Sequence, residues 1–210
     1  MKRQKKSATL SRRQRVHRLL CMEIKHNHVM ASALLEPLAP ATLKMRIAAW
    51  ISRKMFGKVI SPLPLLYTRN DALMGFSLKI ERILSRRIRL SESEKLLIKL
   101  GVSLQNGCSF CGDMALAQAF QKKLSRQKFL DLVNGKFDGP EFSERESLIL
   151  AFIEHRMKGS VGDDLIHSMK ATFTDTELVD IGWCIAAECY YNHLSLTFSI
   201  ESDRLALAAQ

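Results

Sequence analysis

The feature that most constrains this fold is a helix-start signal that occurs three times in the second half of the chain. In a capping box, a Ser or Thr side chain accepts a hydrogen bond from the backbone N–H three residues on, and a Glu there reaches back to the first residue. The pairs are Ser91 with Glu94, Ser143 with Glu146, and Thr174 with Glu177. No stretch alternates polar and apolar residues over a strand length. We therefore predict an all-α fold.

Apolar residues at helical spacing predict further helices along the chain. These cover about 11–24, 41–56, 72–84, 108–122 and 125–133, with a short helix opening at Asp163. Pro40 is placed to open the helix 41–56, Gly57 to end it, and Asp71 to cap the next one. Pro62 and Pro64 predict a break between those two helices.

Charge divides the chain of 210 residues, whose net charge is +11. Residues 1–30 and 31–90 each carry +8, whereas residues 91–210 carry −5. A single basic nucleic-acid domain would not show this division. We predict a basic tail and linker (1–40), a helical extension (41–90) and a further helical domain (91–205).

The basic arm suggests no nucleic-acid partner, because no aromatic residue lies among the basic ones in residues 1–30. An acidic neighbouring subunit, a membrane surface or no partner remain as alternatives. The sequence shows neither a secretory signal nor a long apolar span, so we expect a cytoplasmic location. The five cysteines then read as thiols and not as a structural disulfide framework.

The strongest chemical signal is the segment Cys108-Ser109-Phe110-Cys111 at a predicted helix start. The helix N-terminus stabilises a thiolate on the first cysteine, and a second thiol nearby can resolve a sulfenic acid or a mixed disulfide. A zinc site would need a second paired motif, which is missing, so we expect neither a metal nor a cofactor. The alternative is that both cysteines are inert core residues.

The residues around this pair resemble a known family. The core reads Asn106-Gly107-Cys108-x-x-Cys111-x-Asp113, within a matching stretch 99–119. Three further blocks match, at 142–146, at 172–180 and at 191–194 followed by 200–203. Four blocks in the right order are similar to the carboxymuconolactone decarboxylase/AhpD-like superfamily. The resemblance implies an all-helical fold, assembly as trimers or hexamers, and reduction of hydroperoxides by the thiol pair in the peroxidase branch. It also implies that Cys111 attacks and Cys108 resolves, whereas the helix-start argument favours Cys108 as the lower-pKa thiol.

The chain departs from the peroxidase branch at its proton relay. Leu96 stands at the relay Glu position and Ala115 at the relay His position, and neither side chain can carry a proton. General acid–base assistance contributes about 10²–10⁴-fold, so the usual relay chemistry should be slow or rewired. Asp113, Glu188 and His193 are the accessory candidates that could replace it.

Three functions follow as hypotheses. The first is a thiol-dependent peroxidase or disulfide oxidoreductase, with a hydroperoxide or disulfide as substrate and a thiol protein as reductant. The second is a non-catalytic oligomer that senses redox state or binds a partner. The third is a decarboxylase-type member that does not use the thiols and acts on an anionic lactone acid.

Overall fold

The computed structural model describes residues 34–137 and 139–209, and within these ranges it contains helices and no strand, which confirms the all-α prediction. The predicted helix at 11–24 and most of the tail lie outside the described residues. The α-helices are α1 (Leu43–Phe56), α2 (Asp71–Arg86), α3 (Glu92–Asn106), α4 (Ser109–Gln121), α5 (Arg126–Val133), α6 (Glu144–Met157), α7 (Asp163–Thr172), α8 (Asp175–Thr197) and α9 (Leu205–Ala208). A π-helical turn, Leu63–Tyr67, lies between α1 and α2.

All three predicted capping boxes form, at the starts of α3, α6 and α8. Their glutamates also make long-range ion pairs. Arg145 on α6 binds Glu94 through Nε at 2.9 Å and Glu177 through Nη2 at 2.7 Å. Lys128 on α5 binds Glu146 at 2.8 Å. The residues that begin the helices therefore also join them.

The structure corrects two local predictions in the extension. Helix α1 begins two residues later than predicted, with Thr42 as its N-cap, because the Thr42 hydroxyl accepts the Met45 N–H. Asn70 and not Asp71 caps α2, because its side chain accepts the Ala72 N–H. The predicted break between these two helices is present, and Pro62 and Pro64 lie within it.

Between α1 and α2 the chain forms the π-helical turn Leu63–Tyr67. The Leu63 carbonyl accepts the backbone N–H of Thr68 at 3.0 Å and its hydroxyl at 2.8 Å. Pro64 has no N–H to contribute to a regular ladder, and the wider turn satisfies the Leu63 carbonyl through Thr68. The segment that contains Pro62 and Pro64 and separates the two helices is therefore a compact apolar turn.

Helix α3 lies at the centre of the fold and packs against α4, α6 and α8. Its buried residues face two apolar clusters, so that Leu97 and Leu100 contact the α4–α5 side and Ile98 and Val102 the α6–α8 side. Burial around most of the circumference is the pattern of a helix enclosed by others. The redox-like motif follows directly after this central helix.

The extension is fastened to the end of the chain by Asp203. Its carboxylate accepts hydrogen bonds from the Ser61 N–H at 2.7 Å and the Ser61 hydroxyl at 2.8 Å, and it pairs with Lys58 at 3.2 Å. These contacts place the π-helical turn over the start of α4. None of the helices in 34–137 and 139–209 is both long and apolar enough to cross a membrane.

Candidate active site

The Cys108–Cys111 pair lies at the turn between α3 and α4. Gly107 ends α3 with φ of 71°, in the left-handed region that glycine adopts readily. The next residue, Cys108, is the N-cap of α4, and its sulfur accepts the Cys111 N–H at 3.3 Å. The two sulfurs are joined in a disulfide, with Cα atoms 5.4 Å apart. The predicted turn and helix start thus place both thiols at the positive end of a helix.

An apolar cluster encloses the disulfide. Cys108 and Cys111 are only 2% and 5% exposed. They share a buried cluster with Leu65 and Leu66 of the π-helical turn and with Ile200. Partly buried members of the same cluster include Leu35, Ile60, Tyr67, Met114, Leu194 and Phe198. The extension therefore covers the pair, and a substrate must pass it to reach the sulfurs.

One hydroxyl faces the pair from the long helix α8. Ser195 Oγ lies 3.6 Å from Cys111 Sγ, and the Ser195 residue is only 4% exposed. A hydroxyl at this position can donate to a Cys111 thiolate once the disulfide is reduced. Ser195 was not among the residues predicted from the sequence.

A second polar group lies beside the turn that carries Cys108. Glu188 is fully buried, and its Oε1 contacts Ser103 Oγ at 2.9 Å and Asn192 Nδ2 at 2.7 Å. Asn192 Oδ1 in turn accepts the Asn106 amide at 2.9 Å. Burial raises the pKa of Glu188 above its ordinary value, and nearby Lys99 opposes this only in part.

A sequence signal for this side of the site existed in the spacing of α8. Glu188, Asn192 and Ser195 recur at helical intervals along one face of a helix that is otherwise apolar. Sequence analysis selected Glu188 from this row but left out Asn192, Ser195 and their partner Ser103 on α3.

The other two accessory candidates lie elsewhere. Asp113 is buried, and its carboxylate accepts the Ser202 hydroxyl at 2.9 Å and the backbone N–H groups of Leu205 and Ala206 at 2.8 and 2.9 Å. All its described hydrogen bonds hold the start of α9 against α4. His193 is exposed on α8, next to the buried Asn192 but directed to solvent.

Leu96 and Ala115 are both buried in the α4–α5 core, where no proton could be carried through them. Leu96 also lines a cavity of about 350 Å³ between α1, α2, α3, α4 and α8, whose walls include neither Cys108 nor Cys111. Lys95, Lys99 and Lys122 surround this cavity together with Glu81 and Glu92. In the part of the chain that the structure describes, no three His, Cys, Asp or Glu side chains gather as metal ligands would.

Comparison with known proteins places this geometry in a known fold. A solved structure from Ralstonia eutropha, an uncharacterized peroxidase-related protein with an alkylhydroperoxidase AhpD core, matches with a TM-score of 0.70 and 16% identity over 86% of this chain and 96% of that one. A protein of unknown function from Agrobacterium tumefaciens, named for a proposed AhpD antioxidant-defence role, matches with a TM-score of 0.59 and 25% identity over 65% of this chain and 94% of that one. This chain has the AhpD-like fold. The resemblance read from the motif blocks is thereby confirmed.

Two further similar proteins differ from each other in what is known of their activity. The uncharacterized protein YnjA of Escherichia coli K12 is 26% identical over 126 residues, which are 57% of this chain and 65% of YnjA. The debrominase Bmp8, solved with 2,3,4-tribromopyrrole, matches this chain with a TM-score of 0.72 and 13% identity over 87% of this chain and 97% of Bmp8. No protein-family model matches the chain. The fold therefore carries more than one chemistry, and the activity depends on the site.

Proposed function

We propose that this AhpD-like protein is a thiol-dependent oxidoreductase that uses Cys108 and Cys111 to reduce a hydroperoxide. The observation that carries the proposal is the disulfide at the start of α4, with Cys108 as the helix N-cap. A pair that closes within one helical turn needs no large movement to cycle between dithiol and disulfide. The likeness to peroxidase-related proteins supports the same chemistry.

The cycle balances with the two cysteines and an external thiol. A thiolate attacks the terminal oxygen of the hydroperoxide, the O–O bond breaks, and the alcohol leaves after taking a proton, which produces a sulfenic acid. The second thiol attacks that sulfur, water leaves, and the disulfide forms. A thiol reductant of the cell then reduces the disulfide, supplying two electrons and two protons.

We assign the attack to Cys108. Its sulfur accepts the Cys111 N–H at the N-terminus of α4, and both the hydrogen bond and the helix dipole favour a thiolate. Cys111 then resolves the sulfenic acid, with the Ser195 hydroxyl beside its sulfur. This choice follows the helix-start argument and departs from the role order that the family resemblance implies.

The enclosure favours apolar substrates. Leu65, Leu66 and Ile200 pack against the two cysteines in an apolar cluster. An organic hydroperoxide would bury apolar surface there at about 25 cal/mol per Å², whereas hydrogen peroxide would not. We therefore expect faster oxidation by cumene hydroperoxide than by hydrogen peroxide.

The test is single-turnover oxidation of the reduced protein, followed by mass spectrometry of the disulfide. With cumene hydroperoxide, the wild type should close the Cys108–Cys111 disulfide, Cys111→Ser should stop at a sulfenic acid on Cys108, and Cys108→Ser should not react. Cys189→Ser is the matched control, because Cys189 is half-buried on α8 and outside the pair. A Cys108→Ser variant that forms a sulfenic acid on Cys111 would reverse the assigned roles. Unreactive wild-type thiols would exclude the peroxidase function.

A redox sensor is the second candidate, and the burial of both sulfurs and the loss of the relay at Leu96 and Ala115 favour it. A sensor would form its disulfide once with hydroperoxide, and with dithiothreitol as reductant it would consume further hydroperoxide only slowly. Sustained turnover at a rate set by the hydroperoxide concentration would exclude it.

A decarboxylase-type function finds its support in the cavity beside Leu96. An anionic lactone acid needs cationic partners, and Lys95, Lys99 and Lys122 surround that cavity. Lys95 and Lys122 both pair with Glu92, so these two charges are already partly neutralised. Full decarboxylase activity in a protein without Cys108 and Cys111 would favour this function over the thiol cycle.

A further inference from the structure

The buried cluster beside the redox pair holds an unusual carboxyl group. Glu188, Ser103 and Asn192 are 5%, 1% and 0% exposed. A buried carboxylate normally lies beside a cation or accepts several donors. The cation whose charge acts on Glu188 is Lys99, and Lys99 pairs with Glu81 at 3.5 Å.

The hydrogens in this cluster can be counted. Ser103 Oγ lies 2.7 Å from the Lys99 carbonyl oxygen and 2.9 Å from Glu188 Oε1. The Ser103 hydroxyl has one proton, and both of these oxygens can only accept when Glu188 is ionised, so in that state one of the two contacts lacks a proton. Both contacts are hydrogen bonds when the carboxyl group of Glu188 supplies a proton to Ser103 Oγ.

The third member of the cluster fits the same count. The Asn192 amide nitrogen donates to Glu188 Oε1 at 2.7 Å and lies 3.3 Å from Ser103 Oγ. Its two hydrogens serve both acceptors, and its oxygen accepts the Asn106 amide. When Glu188 is protonated, each short contact in the cluster therefore has one donor and one acceptor. When Glu188 is ionised, one contact joins two oxygen atoms that have no proton between them.

The charged groups around Glu188 agree with this state. Lys99 on α3 is the cation that favours ionisation, and Glu81 on α2 opposes it. Cys184, one turn earlier on α8, adds no charge at neutral pH because burial raises the pKa of its thiol to about 12. Complete burial of Glu188 favours its neutral form.

The cluster is connected to the turn that presents the first cysteine. The Ser103 carbonyl accepts the Cys108 N–H at 3.0 Å, and the Asn106 side chain is held by Asn192. These two hydrogen bonds involve the residues on either side of Gly107, the residue at which α3 ends. The position of the Cys108 sulfur therefore depends on the arrangement of Ser103 and Asn192.

We propose that Glu188 is a neutral carboxylic acid in the folded protein and that it is a positioning residue, holding the Asn106–Cys108 turn through Ser103 and Asn192. The proposal rests on the proposed function only in that the turn carries the redox pair. The proton on Glu188 stabilises the folded cluster and is not transferred to a substrate.

The first test is the proton linkage of folding, measured by urea unfolding of the full chain. An acid that is neutral when folded and ionised when unfolded makes folding take up one proton, so its contribution to stability falls as pH rises. The ratio of the unfolding equilibrium constants of wild type and Glu188→Gln should therefore rise as pH increases above the pKa of an unfolded Glu, by up to about tenfold per pH unit. Glu144→Gln, at an exposed first-turn position of α6, is the control and should show no such slope. A ratio independent of pH would overturn the proposal.

The second test addresses positioning and uses hydrogen exchange of the Cys108 amide. Glu188→Gln keeps the size and neutrality of the acid, so the protection of the Cys108 amide against exchange should stay within about threefold of wild type. Glu188→Leu removes the polar contacts to Ser103 and Asn192, so this protection should fall by about tenfold or more. Equal protection in all three proteins would show that Glu188 does not position the turn. Should Glu188→Leu fail to fold, an infrared difference between wild type and Glu188→Gln decides the protonation state through the carbonyl band of a protonated acid. None of these readouts uses hydroperoxide turnover, so a failed peroxidase assay leaves this proposal standing.

Discussion

The Ser195 hydroxyl on α8 lies 3.6 Å from the Cys111 sulfur on α4, across 84 positions of sequence. The contact is buried, so the hydroxyl has few competing partners. It joins the long C-terminal helix to the redox pair and gives Cys111 a donor that the motif itself does not contain.

Replacing Ser195 with Ala should slow the reaction of Cys111. Loss of the donor destabilises the Cys111 thiolate, and a change of about 1.4 kcal/mol corresponds to about one unit in the pKa of its thiol. The pH dependence of Cys111 alkylation, followed in a Cys108→Ser background, should therefore shift upward. Ser168→Ala on α7 is the matched control, since that hydroxyl bonds only the local Asp164 carbonyl. An unchanged alkylation profile in Ser195→Ala would show that the hydroxyl does not act on Cys111.

Replacing Asp113 with Asn should cost stability and not thiol reactivity. The carboxylate accepts three donors from the Ser202–Ala206 segment, and an amide turns one acceptor into a donor. We expect a loss of about 3 kcal/mol, which corresponds to a melting temperature lower by roughly 6–12 °C. Asp164→Asn, at an exposed position in the first turn of α7, should change it far less. A stable Asp113→Asn protein with slow thiols would instead place Asp113 in the reaction.

Acid should weaken the junction of α3, α6 and α8. The Thr174 N–H and then the Arg145 guanidinium lower the pKa of Glu177 from 4.5 to about 2. A lowered pKa contributes stability that is present above the unfolded value and is lost as pH falls toward the folded value. The unfolding free energy of wild type should thus fall between about pH 4.5 and pH 2 more steeply than that of Glu177→Gln. Glu144→Gln, an exposed first-turn residue of α6, should retain the wild-type slope.

Loosening the extension should expose the redox pair. Asp203→Asn weakens the contacts to Ser61 and Lys58 that hold the π-helical turn over the sulfurs. The disulfide should then be reduced by dithiothreitol several times faster, because local opening becomes easier. Asp71→Asn removes a different and exposed ion pair of the extension, with Lys44, and should leave the rate unchanged. Equal rates in both variants would mean that the reductant reaches the pair without moving the extension.

The protein should form a homo-oligomer, a trimer or a hexamer. Helix α1 exposes a row of large apolar residues, with Leu43 72%, Ile47 50% and Trp50 59% exposed. Such rows are typical of surfaces that associate. Light scattering after gel filtration should show the assembly, and Ile47→Ser combined with Trp50→Ser should reduce its size. A wild-type monomer at micromolar concentration would contradict this expectation.

Sequence by itself determined the helices and the chemistry of the motif. Ser91, Ser143 and Thr174 begin helices because a capping box is satisfied within four consecutive residues. The turn at Gly107 and the pair at Cys108 and Cys111 are likewise local, so spacing alone was enough to find them. The break at Pro62 and Pro64 was predicted as well, but the π-helical turn within it was not, because the side chain of Thr68, a later residue, completes that turn.

Only the tertiary structure decided the roles of the acidic residues and the cover of the site. Asp113 holds α9 and Glu188 meets Ser103, and each of these contacts joins residues more than 80 positions apart. Leu65 and Leu66 reach the disulfide because Asp203, near the end of the chain, fixes the extension in place. A buried polar group must find a partner wherever the packed helices supply one, and the pattern of one helix does not contain the position of its neighbour.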